Sequence, residues 1–354
     1  MGEYLQEFIK KLTQKTLIMN ILIKSYYRPY LLDRCLRSVY ERVSDFKDIE
    51  ITILDDGTPQ KYLDKIKEKY PQTIFKFSKY RDEKIEKIDK HLEGVEQYHD
   101  RRIPTDLWYD AIAASSDVLI ITEDDVWFVN DFNMKFYTEE MEKYGIQILK
   151  MGRDITETIN YDLTNTIAYH TPKYIFKSHK LYNLLLNNSF NLRDSLTKLN
   201  LLPKYWRNEL WKMYDIPMAM TRKDYLLYIW KDKYKRVVED LQLANAVSWD
   251  LKTKGKNKYT LLKDKAMDFT ARSSASFNAF NIKENFDLIR FNYILNELWL
   301  NNQFDEYENY PKDFSVDYIY NILIEKENKE FADNWKKWTQ GLERMRLDTR
   351  LDNY

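Results

Sequence analysis

Asp117-Val118-Leu119-Ile120-Ile121-Thr122-Glu123-Asp124-Asp125-Val126-Trp127-Phe128 is the stretch whose reading decides the fold. Val118 to Ile121 are four consecutive apolar residues, the mark of a strand buried on both faces. Three carboxylates follow at once, and the chain then turns apolar again. Acidic side chains are almost never fully buried unless they are paired or hold a metal. One reading is therefore a divalent cation held at the carboxyl end of a strand, where open α/β sheets bind ligands. The other is a solvated loop that happens to be acidic. This stretch alone does not separate them.

Composition narrows the classes. The chain has 354 residues, enough for one large domain or two. It is 44% hydrophobic and 32% charged, which suits a globular protein and not a disordered one. Lys+Arg and Asp+Glu number 56 each, and this balance argues against bulk electrostatic capture of nucleic acid, leaving only a local basic patch. Cys35 is the sole cysteine, so neither an intrachain disulfide nor a multi-cysteine zinc site can form. It lies in an apolar helical pattern and reads as a core residue. No apolar run approaches the roughly 18 residues that cross a bilayer, since Leu17 to Ile23 is short and broken by Asn20. Met1 to Lys15 is polar and amphipathic, unlike a signal peptide, and a cytoplasmic location is expected. With 7 glycines, neither a P-loop nor GxGxxG appears, which counts against a kinase or a dehydrogenase.

Working outward, strands and helices alternate. A helical lead-in over 1–16 precedes a strand at Leu17 to Lys24, a turn at Ser25 to Pro29, and an amphipathic helix with Leu32, Cys35, Leu36 and Val39 on one face. Ile49 to Leu54 is a second strand, ending in the turn Asp55-Asp56-Gly57-Thr58-Pro59. A helix over Lys61 to Lys69 and a strand at Thr73 to Phe77 follow. Tyr80 to Arg102 reads as an irregular connection with one exposed helix. A helix over Thr105 to Ser116 leads into the acidic strand. Further strands are expected at Ile146 to Met151, Ile167 to His170, Tyr174 to Phe176 and Met218 to Met220, with a helix from Asp224 to Lys235. Val237 to Ala244 carries a third acidic pair, residues 250–282 read as polar with a Lys-rich loop, and the remainder is helical, ending in one helix from Val316 to Arg346. Alternation argues for βαβ units and a parallel sheet, and right-handed crossovers put the strand carboxyl ends on one edge. Asp55-Asp56 and Glu123-Asp124-Asp125 should then face each other across that edge.

At this point four segments resemble one family. Ile23 to Val39 resembles the opening strand, turn and helix of GT-A glycosyltransferases of the family-2 type. Ile51 to Thr58 resembles their second strand, with its Asp-Asp-Gly-Ser/Thr turn. Ile120 to Asp125 resembles their DxD position in a Glu-Asp-Asp form. Val238 to Leu243 resembles the Glu-Asp motif that carries the base in inverting members. Tyr27 stands where many relatives have Asn. The resemblance spans roughly 17–245. It implies an α/β, Rossmann-like GT-A fold with a mixed, mostly parallel sheet flanked by helices and a helical C-terminal extension. The implied division is 17–129 for nucleotide binding, 130–282 for the acceptor (17–282 together forming the catalytic domain) and 283–354 for the extension.

The activity so implied is metal-dependent, inverting transfer of a hexosyl or N-acetylhexosaminyl group from a nucleotide sugar, a UDP-sugar first, to a hydroxyl. Mn2+ or Mg2+ bridging the phosphates would stabilise the leaving nucleotide as a Lewis acid, taking few ligands from protein. Asp125 is the expected metal ligand. Glu123 and Asp124 would contact the ribose or metal-bound waters. Asp55 or Asp56 would accept hydrogen bonds from base and ribose, backbone near Ser25 to Tyr27 would line the base, and Arg28 would lie near the phosphates or pair with an acid. Asp240, then Glu239, is the candidate base for the acceptor hydroxyl. A glycan or lipid-linked acceptor ranks above a modified DNA base.

Blander readings stand beside these. Asp55-Asp56 also fits a capped turn, and Glu239-Asp240 fits the acidic start of a helix. His91, His99, His170 and His179 show no ligand spacing. Trp206, Trp211, Trp230 and Trp249 read as core in preference to a sugar platform, and Arg101-Arg102 as a solvated face. Trp335-Lys336-Lys337-Trp338 with Arg344 and Arg346 could touch a membrane surface, but packing on the catalytic domain is preferred. The alternatives are a nucleotidyltransferase, which would need a Gly-rich phosphate loop, and a non-catalytic glycan-binding protein.

Overall fold

The computed structural model describes residues 19–100, 102–152, 161–203, 206–232, 239–273 and 286–351. The 1–16 lead-in, Leu17, Ile18, Arg101, Tyr205, Val237 and Val238 lie outside them.

In chain order the first half runs β1 (Met19–Ser25), α1 (Pro29–Arg42), β2 (Ile49–Asp55), α2 (Gln60–Lys69), β3 (Ile74–Phe77), α3 (Arg81–Leu92), α4 (Thr105–Ala114), β4 (Val118–Glu123) and β5 (Val126–Phe128). The second half runs α5 (Met134–Tyr144), β6 (Ile146–Lys150), β7 (Tyr161–Asp162), β8 (Ile167–His170), α6 (His179–Leu186), α7 (Leu192–Lys198), α8 (Trp206–Trp211), β9 (Ala219–Arg222), α9 (Lys223–Ile229), α10 (Glu239–Lys252), β10 (Lys258–Leu262) and β11 (Met267–Phe269). Helices α11 (Leu288–Leu300), α12 (Val316–Lys326) and α13 (Lys329–Leu351) follow.

Nine strands form one sheet in the order β3-β2-β1-β4-β9-β6-β10-β8-β7. The α/β class and the mixed sheet agree with the reading of the sequence. Strands β3, β2, β1 and β4 are parallel, as βαβ alternation requires. Strand β9 runs antiparallel between β4 and β6. Register does the positioning: Ser25 pairs with Asp55 across β1–β2, and Lys24 with Glu123 across β1–β4. The two acidic turns therefore leave the sheet on the same edge, one on each side of β1.

The four apolar residues of β4 divide between the two faces, because strand side chains alternate. Val118 and Ile120 join the core with α1, α11 and α13, while Leu119 and Ile121 join the core with α4, α6, α9 and α10. All four are at most 2% exposed, so both faces of β4 are covered. Truncating Leu119, Ile120 or Ile121 to Ala would cost about 2–5 kcal/mol. Pro29 starts α1 as expected, and Cys35 is buried there.

Several elements differ from the sequence reading. The helix expected within Tyr80 to Arg102 is present at residues 81–92, but buried Lys84 and Ile88 anchor it where an exposed helix was expected. Tyr174 to Phe176 form no strand; their half-buried rings pack under α6. The polar 250–282 stretch contains β10, inserted between β6 and β8, and β11, which pairs with β5. Only Tyr259 to Leu262 signalled β10, too short a run to read beside its lysines. The last helix is two, α12 and α13, separated near Glu327.

Trp335 and Trp338 are fully buried against Phe291 and Phe286, so that stretch packs inward. The side chains of Arg344 and Arg346 lie outside the described set. Trp206 and Trp230 are buried and Trp211 and Trp249 half-buried in the second core.

Candidate active site

The turn after β1 is shaped by its neighbours. Tyr27 has φ +53°, a left-handed conformation costly for a residue with a Cβ. Three contacts hold it. Its N–H donates to Thr58 Oγ1 at 3.0 Å, its carbonyl accepts from Asn296 Nδ2 at 3.1 Å, and its side chain is buried. Asn tolerates this conformation better than Tyr does. Because the Tyr27 ring is in the core, this residue borders the site through its backbone alone. The half-buried Tyr26 ring pairs its hydroxyl with that of Tyr98.

The turn after β2 packs against the first. Asp55 Oδ1 accepts from the N–H groups of Gly57 (3.2 Å) and Thr58 (3.0 Å), closing an Asx-type turn. Gly57 has φ +149°, and an added Cβ would lie 2.9 Å from the Tyr26 ring, so only glycine fits. Asp56 Oδ2 accepts from buried Lys84, whose ammonium also donates to the Arg102 carbonyl at 2.6 Å. Three buried oxygens here have no hydrogen-bond partner among the described residues: Ser25 Oγ, Asp55 Oδ2 and Asp56 Oδ1. Buried polar atoms are normally paired, so three orphans on adjacent turns are an unusual concentration of unused acceptors. Burial raises the Asp55 carboxyl to about 6 despite its bonds to Thr58 and Gly57. Burial raises Asp56 also, with Lys84 opposing.

The acidic turn after β4 is sorted by its partners. Half-buried Glu123 takes the Lys24 ammonium at 2.5 Å, and the Lys24 charge holds its carboxyl below the usual range. Buried Asp124 spends both oxygens. Oδ1 binds Arg28 Nη2, and Oδ2 accepts the Tyr26 N–H at 3.1 Å. Buried Asp125 accepts from Arg28 Nη1 through Oδ2 at 2.9 Å, leaving Oδ1 without a partner among the described residues. Arg28 Nη1 also donates to the Ser273 carbonyl at 2.7 Å. Burial opposes the guanidinium charge, but Asp124 and Asp125 outweigh it and keep it protonated. Both aspartates are raised, chiefly by burial, with Arg28 opposing. Three carboxylates thus face two cations, Lys24 and Arg28. Burial favours the protonated forms of Asp124 and Asp125, so a further cation would displace a proton and stabilise the charged pair.

Among the described residues no group of three or more His, Cys, Asp or Glu side chains is arranged to hold a metal ion. The donor set instead fits a cation that brings most of its own ligands. Asp125 Oδ1 is one hard oxygen that no described residue occupies.

The third acidic pair opens α10. Asp240 is ion-paired to Arg207, and Arg193 stands 3.9 Å away. Glu239 is exposed; partial desolvation and then Asp240 push its carboxyl up, with Arg207 opposing, while Glu123 adds to the rise and Lys24 reduces it. Glu239 therefore lies within electrostatic reach of the β1–β4 edge.

The structure brings Ser25, Tyr27, Arg28, Asp55, Asp56, Glu123, Asp124 and Asp125 together on that edge, and sets Glu239 and Asp240 at the helix start beside it. Lys24, Lys84, Asn296, Arg207 and Arg193 were not foreseen. Lys84 sits in a run of charges that gave no sign of burial, and the others act across long sequence separations. The histidines stay apart: His91 meets Asp287 at 3.0 Å, and His170 meets the Lys212 carbonyl at 2.9 Å. Arg102 pairs with Asp100 and Glu83.

No protein-family model matches the sequence, and no curated protein matches it. Solved structures do. The chain is similar to S. aureus TarS, with 11% identity and TM-score 0.40 over 89% of this chain and 43% of that one. It thus spans under half the length of that TarS chain. TarS 1–349 in complex with UDP-GlcNAc matches at 12% identity and TM-score 0.42, over 89% of this chain and 73% of that one. The mannosyltransferase PcManGT from Pyrobaculum calidifontis in complex with GDP-Man and Mn2+ matches at 10% identity and TM-score 0.37, over 90% and 73%. No helix among the described residues is long and apolar enough to cross a membrane.

Proposed function

We propose that this chain is a GT-A glycosyltransferase that moves a sugar from a nucleotide donor, a UDP-sugar first, to a hydroxyl acceptor with inversion. The observation that carries the reading is the pair of acidic turns flanking β1, with Ser25 Oγ, Asp55 Oδ2 and Asp56 Oδ1 orphaned among the described residues on one side and Asp125, bonded to Arg28 through Oδ2 alone among them, on the other. Base and ribose are rich in N–H and O–H donors and suit the three orphans. The diphosphate would extend from there toward Asp125.

Each residue then has a part. Asp56 Oδ1 and Ser25 Oγ receive the base and ribose, while Asp55 shapes the turn and offers Oδ2. Glu123 and Asp124 are occupied by Lys24 and Arg28, so they orient the acidic turn. Asp125 would hold Mn2+ or Mg2+ through Oδ1. The ion, when bound, supplies Lewis-acid stabilisation of the leaving diphosphate. Arg28 keeps Asp124 and Asp125 together before the donor arrives.

Glu239 takes precedence over Asp240 as the base, reversing the order drawn from sequence. An aspartate clamped by arginines holds its lone pairs in ion pairs. Glu239, exposed and with no ion-pair partner among the described residues, has its carboxylate open to an acceptor hydroxyl. Direct displacement needs no covalent nucleophile. The chemistry belongs to 17–282, and helices α11 to α13 buttress it, since Asn296 and Asn292 of α11 reach the β1 turn and Ser273.

Incubating the chain with Mn2+ and a panel of nucleotide sugars tests this. A raised melting temperature and release of nucleoside diphosphate with one donor are expected. An unmoved melting temperature across UDP-, GDP- and dTDP-sugars would count against the reading. NMR of the first-formed product gives the anomeric outcome.

A further inference from the structure

The stretch from α6 to the loop after α7 has two sides. Tyr182, Leu185 and Leu186 face the core and pack α6 against α10. The outer side carries Leu184, Phe190, Leu199 and Leu201, exposed to 39, 96, 66 and 62%. Four of the eleven large apolar side chains exposed among the described residues fall in this short span. Scattered singly, such residues need no explanation; a cluster does.

The backbone presents Phe190 at a cost. Asn188, Phe190, Asn191 and Asn200 all have positive φ, from +48° to +57°. Asparagine accepts this conformation, whereas phenylalanine pays for it. The strain falls on the most exposed aromatic residue of the cluster, which contributes nothing to the core.

Charge defines the occupant. Lys173, Lys177, Lys180 and Lys198 are exposed, and none pairs with a carboxylate among the described residues. Asp194 is the sole acidic residue between Lys173 and Pro203, and it is tied to Arg193 and Asn188. A chain with zero net charge thus carries a strongly basic face here. Exposed aliphatic and aromatic side chains in the same short span as exposed lysines are the chemistry of an interface with anionic lipid. A nucleic acid would use the lysines but gain little from three leucines, since bases bind by stacking on aromatic faces.

We propose that this face, Leu184 to Leu201 with its four lysines, docks on an anionic lipid bilayer, with Phe190 entering the headgroup–acyl boundary. It lies on the acceptor side, because Arg193 of the same segment stands 3.9 Å from Asp240. Its use, though not its existence, rests on the proposed transferase reading: a bilayer there presents a lipid-linked acceptor to the Glu239–Asp240 end.

Co-sedimentation of the full chain with vesicles tests it. Vesicles of phosphatidylcholine with one quarter phosphatidylglycerol should bind the chain, pure phosphatidylcholine should not, and added salt should release it. Phe190→Ser with Leu201→Ser should weaken binding about tenfold or more. Lys177→Gln, Lys180→Gln and Lys198→Gln together should weaken it about a hundredfold, at about fivefold each. All five positions are exposed, and an unchanged melting temperature verifies the fold. Absence of binding to the anionic vesicles, wild-type binding by both variants, or displacement of vesicles by a short DNA duplex of equal phosphate content would overturn the proposal. No donor is needed, so a chain that transfers no sugar yet binds vesicles leaves this inference standing, and the converse leaves the transferase reading standing.

Discussion

Arg28 Nη1 lies 2.9 Å from Asp125 Oδ2, joining the first turn of the sheet to the acidic end of β4 across 97 positions of sequence. The same guanidinium holds Asp124, so a single side chain fixes two of the three carboxylates. Removing one partner of a buried pair leaves an uncompensated charge, at about 3–5 kcal/mol. Arg28→Ala should therefore lower the unfolding free energy, measured by urea titration, by that amount and bring the midpoint down with it. Arg28→Lys should recover part of it, because an ammonium supplies charge without the planar fork. A midpoint unchanged in Arg28→Ala would remove the guanidinium from this role.

Asp55 gives a pH dependence. Its carboxyl is raised to about 6 by burial, against an unfolded value of about 3.9. Between those values the folded state binds the extra proton, so this group's contribution to stability is present at low pH and fades as pH rises through about 6. Asp55→Asn cannot titrate. The stability difference between wild type and Asp55→Asn, followed by melting from pH 4 to 7, should move against the wild type as pH increases. A difference that is flat with pH contradicts the burial argument.

The base assignment predicts unequal losses. Glu239→Gln should lower kcat by about 10²–10⁴ and abolish the acidic limb of the pH–rate profile. Asp240→Asn should be the milder lesion, since it frees Arg207 and Arg193 but leaves the Glu239 carboxyl. Steady-state kinetics of both variants decide it. Equal kcat values for Glu239→Gln and wild type restore Asp240 to first place.

At Gly57 a methyl group has no room. Gly57→Ala should destabilise by about 1–3 kcal/mol, because φ +149° and the 2.9 Å approach to Tyr26 must both yield. The donor KM should rise as well, since Asp56 follows the same turn. Chemical denaturation and donor saturation curves measure the two effects.

The local features were legible in the sequence. Val118 to Ile121 read as a strand buried on both faces because alternation and burial are written into neighbouring residues, and Asp55-Asp56 and Glu123-Asp124-Asp125 read as its functional edge because they end strands. What was not legible acts at a distance. Arg28 showed a choice between phosphate and carboxylate, and only the fold placed it on Asp124 and Asp125. Lys84 looked like one more solvated lysine until α3 buried it against Asp56. Tyr174 to Phe176 has the composition of a strand, but its rings find partners under a helix. Tyr259 to Leu262 is a central strand whose brevity hid it; tertiary pairing with β6 and β8 overrides its lysine-rich flanks.

The central claim is that a nucleotide sugar binds at the carboxyl ends of β1, β2 and β4 with Asp125 at its diphosphate. Isothermal titration of UDP into the full chain with Mn2+, repeated in EDTA and with Asp125→Asn, tests it most directly. The account predicts saturable one-site binding in Mn2+, weakened at least tenfold both by EDTA and by Asp125→Asn. Absence of binding heat for UDP, GDP and dTDP, or binding that Asp125→Asn leaves untouched, would contradict it.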